Sequence, residues 1–527
     1  MNNILGSAST KDLLARWWWV PILLLAAAVR FYRLTWAVLW ADEAFSLVMS
    51  THSPAKLLAV AVVDVHPPLY YLMLSGWTKL FGTDLFSIRA LSAGVGVVTV
   101  GLGIWLTALI ANRRAAIIAG VSLALLPIAV RYGQEVRMYA LLGMWMTGAA
   151  IALVYWIRHP RQHTPLAAYA LLIAAGLYTH YLAITGVAAH WLYLATVTVP
   201  SAKARWRYIL DPKWWMANSL IGMLFVPWLP SFIEQLGHAS NLSWIQPVTL
   251  HSVPAVLWQY LTLDRQPDLS TIVFWGIVPA ILALCAYCIL SDRQWPHLSW
   301  LLVIYCVMPP LIVFGVSLTM PLFMARYLLF SAIGLPILLG VALDRLARYR
   351  CWLAVSIFIL VLGIEWAGLG NLHRTPETNN SDAGPTQERA DEIADVIARR
   401  YTPGDQIMVL NLFYYPSLEY YNRSPVRPYL YWRRGSAQFS IKSGVSGSFN
   451  APYGLDLAEV QIPRLDSLPP QTRRVWLVDH VGDANIGLEI PCYWRLQSTL
   501  ATGDNRLRLY DTDLGQAVPD AAACPTH

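Results

Sequence analysis

Charge is scarce in this 527-residue chain: Asp, Glu, Lys and Arg make up 13% of it, where a soluble globular protein carries about a quarter. That scarcity excludes an ordinary soluble protein, and 56% hydrophobic residues with a mean hydropathy of +0.46 place the chain in a membrane. Cysteine is scarce too, at six residues. Cys285, Cys288, Cys306 and Cys351 fall in or beside apolar runs, where a thiol serves as a small apolar filler. The C-x-x-C spacing of Cys285 and Cys288 has no second pair to complete a metal site. Repeated halves with interrupted apolar segments, the pattern of many transporters, are also missing. The net charge of +7 is modest, and no nucleic-acid partner is expected.

Long apolar runs, by contrast, are abundant. A helix needs about 17 to 25 apolar residues to cross the hydrocarbon core. Eleven runs qualify, at 17–34, 88–111, 115–131, 137–157, 165–179, 181–199, 215–233, 271–290, 298–319, 325–343 and 351–370. The fifth and sixth are separated only by "YTHY". Many of the 24 Trp and 26 Tyr lie near run ends, as suits side chains with one apolar and one wet end. Alternate connections carry the positive charge: Lys11 and Arg16; Arg113 and Arg114; Arg158 and Arg161; Lys203, Arg205, Arg207 and Lys213; Arg293; Arg345, Arg348 and Arg350. Short cytoplasmic loops accumulate such charge, so the N-terminus is expected in the cytoplasm and everything after residue 370 outside. A competing reading takes "RWWWVPILLLAAA" as a signal peptide, but removing that span would upset the alternation.

Beyond residue 370 the composition turns polar. An amphipathic helix is expected near 386–401, with Ala390, Ile393, Ile397 and Ala398 on one face. A Pro-Gly turn and the strand "QIMVL" follow, with further strands at "RRVWLVDH" and "RLRLYDT". The expected architecture is a polytopic α-helical membrane protein of about eleven transmembrane helices with a C-terminal extracytoplasmic α/β domain. Its domains are residues 1–372, with a first outer loop at 35–87, and residues 373–527. In the outer domain Cys492 and Cys524 are the only cysteines, and an oxidising compartment permits a disulfide between them.

Ionisable residues gather at the outer ends of these spans. "LTWAVLWADEAFSLVMS" carries Asp42 and Glu43, and "VVDVHPPLYYL" carries Asp64, His66 and Tyr70. Arg89 follows, then "RYGQEVRMYAL" with Arg131, Glu135, Arg137 and Tyr139, then His180 and Tyr181, then Arg326 and Tyr327 in "MARYLLF". Each alone has a bland reading as a solvated loop charge, a snorkelling arginine or a proline-started helix. Acids, a histidine and several arginines on one face suit chemistry on an anionic substrate, and guanidinium groups suit phosphate.

"WADEAFS", "HPPLYYLMLSGWTKLFG" ahead of "SIRALSAG", "QEVRMYALL" and "ARYLL" resemble the GT-C class of lipid-linked-sugar glycosyltransferases, in the branch of protein O-mannosyltransferases and the lipid A aminoarabinose transferase. The resemblance covers roughly residues 15–370 and is strongest in the first 140. It implies an inverting transferase at the outer face of the inner (plasma) membrane, moving a sugar from a polyprenyl-phosphate donor to a hydroxyl acceptor on lipid, glycan or protein. Asp42 is then the general base and Glu43 its tuning partner, with desolvation by Trp36, Trp40 and Phe45 strengthening it. His66, with Arg326 and Arg137, is expected to stabilise the departing phosphate. Tyr70, Arg89, Glu135, Tyr139, His180, Tyr181 and Tyr327 complete the expected binding residues.

The chain departs from the aminoarabinose branch in two places. That branch has an acid before, and a lysine at, the position of His66, where this chain has Val65 and His66; its second aspartate is here only Glu135. No cofactor is required on this reading, although a divalent ion on Asp42, Glu43 and His66 stays open. Two other functions stay open as well: a transporter of lipid-linked sugar, and a polysaccharide polymerase or ligase with a diphosphate-linked donor.

Overall fold

All eleven apolar segments are helical in the computed structural model, which describes residues 17–197, 207–237, 245–264, 267–293, 296–374, 388–431, 457–462, 464–480 and 490–512. Lys11, Arg16, Lys203, Arg205, most of the polar linker after residue 372, and Cys524 lie outside the described residues. Among the described residues seven helices are long and apolar enough to cross a membrane: Leu85–Ile110, Tyr139–Arg158, Pro212–Gly237, Thr271–Leu290, Leu298–Val316, Ala325–Ala347 and Cys351–Leu372. The pair Arg113–Leu125 and Pro127–Gly133, bent by 56°, makes an eighth if it is one span. Length thus supports seven or eight spans where eleven were expected. Val20–Phe31 and Thr164–Thr179 are apolar but shorter, and Ala183–Thr196 has 14 residues. The turn at His180–Leu182 cuts the fifth and sixth expected spans to these lengths.

The chain divides into two compact units. The first comprises residues 1–34, 89–230 and 247–374. Its core packs the Tyr139–Arg158, Thr164–Thr179, Ala183–Thr196 and Leu298–Val316 helices around Trp156, Tyr169 and Trp214, with Trp156 and Trp214 stacked at 5.7 Å. Small residues let helices approach closely. A Cβ on Gly340 would lie 2.5 Å from the carbonyl oxygen of Ala115, so the Gly334–Ala347 and Arg113–Leu125 helices meet nearly backbone to backbone.

The bend after Leu125 has a chemical cause. Pro127 lacks an N–H, so the carbonyl of Leu123 loses its helical partner, and the bend also frees Ala124. Arg30, at the end of the Val20–Phe31 helix and 1% exposed, donates to both, at 3.2 Å to Leu123 O and 3.0 Å to Ala124 O. Gln134, just past the bend, donates in return to the carbonyls of Arg30 and Tyr32 at 3.0 and 2.9 Å, covering the end of Arg30's own helix. A reciprocal clamp thus sets the direction of "RYGQEVRMY".

The second unit comprises residues 35–88, 231–246 and 375–527. Its described strands form one six-stranded sheet: β1 (Asp405–Val409), β2 (Tyr429–Tyr431), β3 (Gln461–Ile462), β4 (Arg474–His480), β5 (Arg495–Thr502) and β6 (Asn505–Asp511), in the order β3-β2-β1-β4-β6-β5. The first four in that order are parallel, and β6 and β5 are antiparallel additions. β1 and the centre of β4 are buried on both faces, whereas β5 is mostly exposed, as expected of an edge.

Three of these strands match the sequence reading. β2, β3 and β5 carried too weak an alternation to be read. The expected amphipathic helix is Ala390–Arg400, burying Ala390, Ile393, Ala394 and Ile397, while Ala398 is only partly covered. Thr402-Pro403-Gly404-Asp405 closes a type II turn, with Asp405 N–H on Thr402 O at 3.0 Å and Gly404 at φ +97°. Cys492 is disulfide-bonded.

Candidate functional site

The acids of "WADEAFS" open a helix. The segment Ala41–Thr51 begins after an extended Trp40, and Asp42 and Glu43 fall in its first turn, where the helix dipole favours negative charge. Glu43 is buried at 1% exposure, Asp42 is partly exposed, and the Ser46 hydroxyl donates to the Asp42 carbonyl at 3.0 Å. Of the aromatics expected to desolvate the pair, Trp40 and Phe45 are buried, but Trp36 is 42% exposed.

The second motif stands beside this helix in the same unit. Asp64 caps the Pro54–Val63 helix, and Leu69–Phe81 starts directly after His66-Pro67-Pro68. The Tyr71 hydroxyl donates to Asp64 Oδ2 at 3.0 Å, and His66 Nδ1 lies 3.7 Å from the same oxygen. Phe45 of the acid helix packs edge-on against Tyr71 at 5.8 Å, and Tyr71 against Tyr70 at 6.0 Å. Gln235 holds the end of the Pro54–Val63 helix by donating to the carbonyls of Ala61 and Val62. The helix that carries Asp42 and Glu43 thus packs through Phe45 on Tyr71, which touches Tyr70 and, through Asp64, links to His66.

The remaining expected residues belong to the first unit. The rings of Tyr139, His180 and Tyr327 form a triangle with centroids 5.1 to 6.2 Å apart, and Tyr132 joins at 5.2 Å from Tyr139. Arg137 lies over the Tyr139 ring and Arg326 over the Tyr327 ring, at 6.0 and 5.6 Å. Both arginines are buried, as is Glu135, which lies 3.8 Å from Arg131. The N–H of Leu182 donates to His180 Nδ1 at 3.2 Å, which places the proton of a neutral ring on Nε2. Arg326 and Tyr327 sit on a 3₁₀ turn, Ala325–Leu328, ahead of the long helix. Two residues stand apart from this triangle: Arg89 donates to Leu34 O at 3.0 Å, and Tyr181 accepts from Trp228 Nε1 at 2.9 Å.

Sequence reasoning missed Glu388. Its carboxylate accepts the N–H of Ala41, the residue before Asp42, at 3.2 Å. Burial pushes its pKa up to about 7 despite that hydrogen bond, with Asp42 and Asp504 adding repulsion. Nothing in "QERADE" marks one acid among several as special. On the face of the acid helix turned away from Asp42, Ala44, Leu47, Val48 and Thr51 line a cavity of about 330 Å³, with Tyr420 and Arg427 across it. Among the described residues no three His, Cys, Asp or Glu side chains are arranged to hold a metal ion, so Asp42, Glu43 and His66 do not form such a group.

Comparison with known proteins agrees with this architecture. Residues 65–230 match the family described as Dolichyl-phosphate-mannose-protein mannosyltransferase. No curated protein matches the sequence. Among solved structures, ArnT from Cupriavidus metallidurans in the apo state is similar at a TM-score of 0.60 and 15% identity, over 96% of this chain and all of that one. The same protein bound to undecaprenyl phosphate is similar at 0.57 and 15% identity, over 97% of this chain and again all of that one. The chain therefore has the fold of ArnT along nearly its whole length, and within it residues 65–230 match the pattern of the family described as Dolichyl-phosphate-mannose-protein mannosyltransferase.

Proposed function

We propose that this protein is an inverting membrane glycosyltransferase that moves a sugar from polyprenyl monophosphate to a hydroxyl acceptor at the outer face of the inner membrane. The observation that carries this reading is the match in fold to ArnT with undecaprenyl phosphate bound, end to end in both chains. The family match spans residues 65–230, the stretch in which His66, Arg89, Glu135, Arg137, Tyr139, His180 and Tyr181 lie.

In the proposed reaction the Asp42 carboxylate takes the proton of the acceptor hydroxyl as its oxygen bonds to the anomeric carbon. The bond from that carbon to the phosphate oxygen breaks on the opposite side, and its electrons leave with the lipid phosphate. A phosphate monoester needs little acid assistance, so one base suffices, and a single displacement inverts the centre. On the motif resemblance, His66, Arg137 and Arg326 are the groups assigned to stabilise the charge that develops on the phosphate. The tyrosines and His180 offer apolar faces and hydroxyl or N–H groups to the sugar. No step is routed through a metal.

The same reading keeps eleven spans, with the three short helices counted. It keeps a cytoplasmic N-terminus and a periplasmic C-terminal domain from about residue 373, on the alternation of basic connections.

Transfer from radiolabelled polyprenyl-monophosphate sugars, by wild type and Asp42→Asn, tests it. The substitution is expected to lower the rate about 10²- to 10⁴-fold. Undiminished transfer removes Asp42 as base, and consumption of a diphosphate donor alone favours the polymerase or ligase reading.

A further inference from the structure

The acid helix starts without a cap of its own. The four leading N–H groups of a helix lack internal partners, and a local Ser, Thr, Asp or Asn ordinarily supplies an acceptor. Here Trp40 holds the cap position and makes no side-chain cap hydrogen bond. The cap acceptor arrives instead from more than 340 residues away in sequence: Glu388 Oε2 takes the N–H of Ala41 at 3.2 Å, and just ahead of the cap the Tyr421 hydroxyl takes the N–H of Leu39 at 2.8 Å. All four residues lie in one compact unit.

Both acceptors are themselves fixed. Glu388 stands two residues before the Ala390–Arg400 helix, and its neighbour Arg389 bonds through its N–H to Asn505 Oδ1 at 3.2 Å and through its guanidinium to Asp391 and Glu392. Tyr421 ends the Tyr415–Tyr421 helix, which packs on Ala390–Arg400 and on the acid helix. A carboxylate at Ala41 is an expensive choice of cap, because Asp42 and Asp504 repel it. A neutral acceptor would do the structural work at lower cost.

We infer that Glu388 and Tyr421 are positioning residues for the proposed base: from the C-terminal part of the chain Glu388 caps the acid helix and Tyr421 anchors the residue leading into it, fixing the peptide that carries Asp42. This rests on Asp42 being the base. Displacing a reacting group by about 1 Å costs on the order of 100-fold in rate, so the acceptors act on turnover through Asp42 without touching substrate.

The test compares full-length wild type, Glu388→Gln, Glu388→Ala and Tyr421→Phe in nanodiscs, by hydrogen exchange of peptides covering 38–46 and by transfer kinetics from polyprenyl-phosphate sugar. Glu388→Ala and Tyr421→Phe should exchange about fivefold or more faster at Ala41 and Leu39 respectively, with peptides elsewhere unchanged. Their kcat should fall about 10- to 100-fold while KM for the donor stays within about twofold. Glu388→Gln keeps an acceptor oxygen and should recover most of the protection and of kcat. Unchanged exchange in Glu388→Ala and Tyr421→Phe overturns the cap, and faster exchange with unchanged kcat overturns the positioning role. If wild type transfers no sugar, the proposed function fails, and the exchange readout still decides whether the cap exists.

Discussion

Arg30 donates to the carbonyl oxygen of Leu123 at 3.2 Å, filling the vacancy that Pro127 leaves four residues later in the chain. A cation this deeply buried stays only where several acceptors meet it, and Ala124 O and Ala26 O supply two more. Removing it strands the carbonyls of a broken helix, at about 1–3 kcal/mol each. Arg30→Ala is therefore expected to lower the melting midpoint in detergent substantially. The diagnostic is coupling: Pro127→Ala restores an N–H for Leu123, so the Arg30→Ala loss should shrink by about 1 kcal/mol or more in that background. Additive effects in the double mutant would remove the clamp as the reason for the bend.

Legibility differed along the chain for physical reasons. Asp42 and Glu43 were readable because charge is rare in an apolar chain and a helix start follows at once. "RYGQEVRMY" was readable as a cluster, but its direction was not, because Arg30 and Gln134 act on backbone carbonyls that no side-chain pattern records. The eleven apolar segments are readable as runs, but run length alone does not show the breaks at Leu126, ahead of Pro127, and at His180. Glu388 was invisible, since its partner is a backbone N–H in a distant segment. Strands β2 and β3, with three and two residues, exist only by pairing, β2 on β1 and β3 on β2.

The Glu388 carboxyl, raised from 4.5 to about 7 by burial first of all, ties stability to pH. The folded state binds this proton more tightly than the unfolded state, so protonation favours folding. The contribution is most favourable below about pH 4.5, is lost as pH rises, and is fully lost above about pH 7. Glu388→Gln imitates the protonated form. It should melt above wild type at pH 8, by on the order of 2–3 kcal/mol, and the gap should close towards pH 5. Thermal melts of the two proteins across pH 5 to 8 check this, and parallel curves would refute it.

Asp64 ties two side chains together, with Tyr71 OH at 3.0 Å and His66 Nδ1 at 3.7 Å on one oxygen. A carboxylate in this place lies beside the Nδ1 edge of His66 and limits the ring's rotation. If His66 meets the departing phosphate, Asp64→Asn should lower kcat/KM for the donor about 10- to 100-fold, by analogy with the loss of carboxylates that orient metal-bound histidines. Tyr71→Phe, which leaves the carboxylate in place, should cost less than Asp64→Asn. The two variants' donor titrations decide the order, and equal losses would point to simple loss of packing.

In the sheet, Asp405 on β1 stands opposite Arg474 on β4. The pair is bidentate, at 2.8 and 2.6 Å, and Asp405 also accepts from Trp476 Nε1 at 2.9 Å and from Thr402. Burial alone would raise this carboxyl, but the hydrogen bonds from Arg474, Thr402 and Trp476 outweigh it and hold it below 3.8. A depressed carboxyl contributes stability above its unfolded value and loses it as pH falls through the folded one. Asp405→Asn keeps the shape but removes the charge, leaving Arg474 without its counterion, and should destabilise the chain by roughly 2–4 kcal/mol at pH 7. Because the loss belongs to the ionised form, the gap between wild type and variant should narrow as pH falls below 3.8 towards the folded-state value. Denaturant melts of the full-length protein at pH 7 and pH 3 measure both arms, and a penalty of the same size at each pH would assign the effect to packing instead of charge.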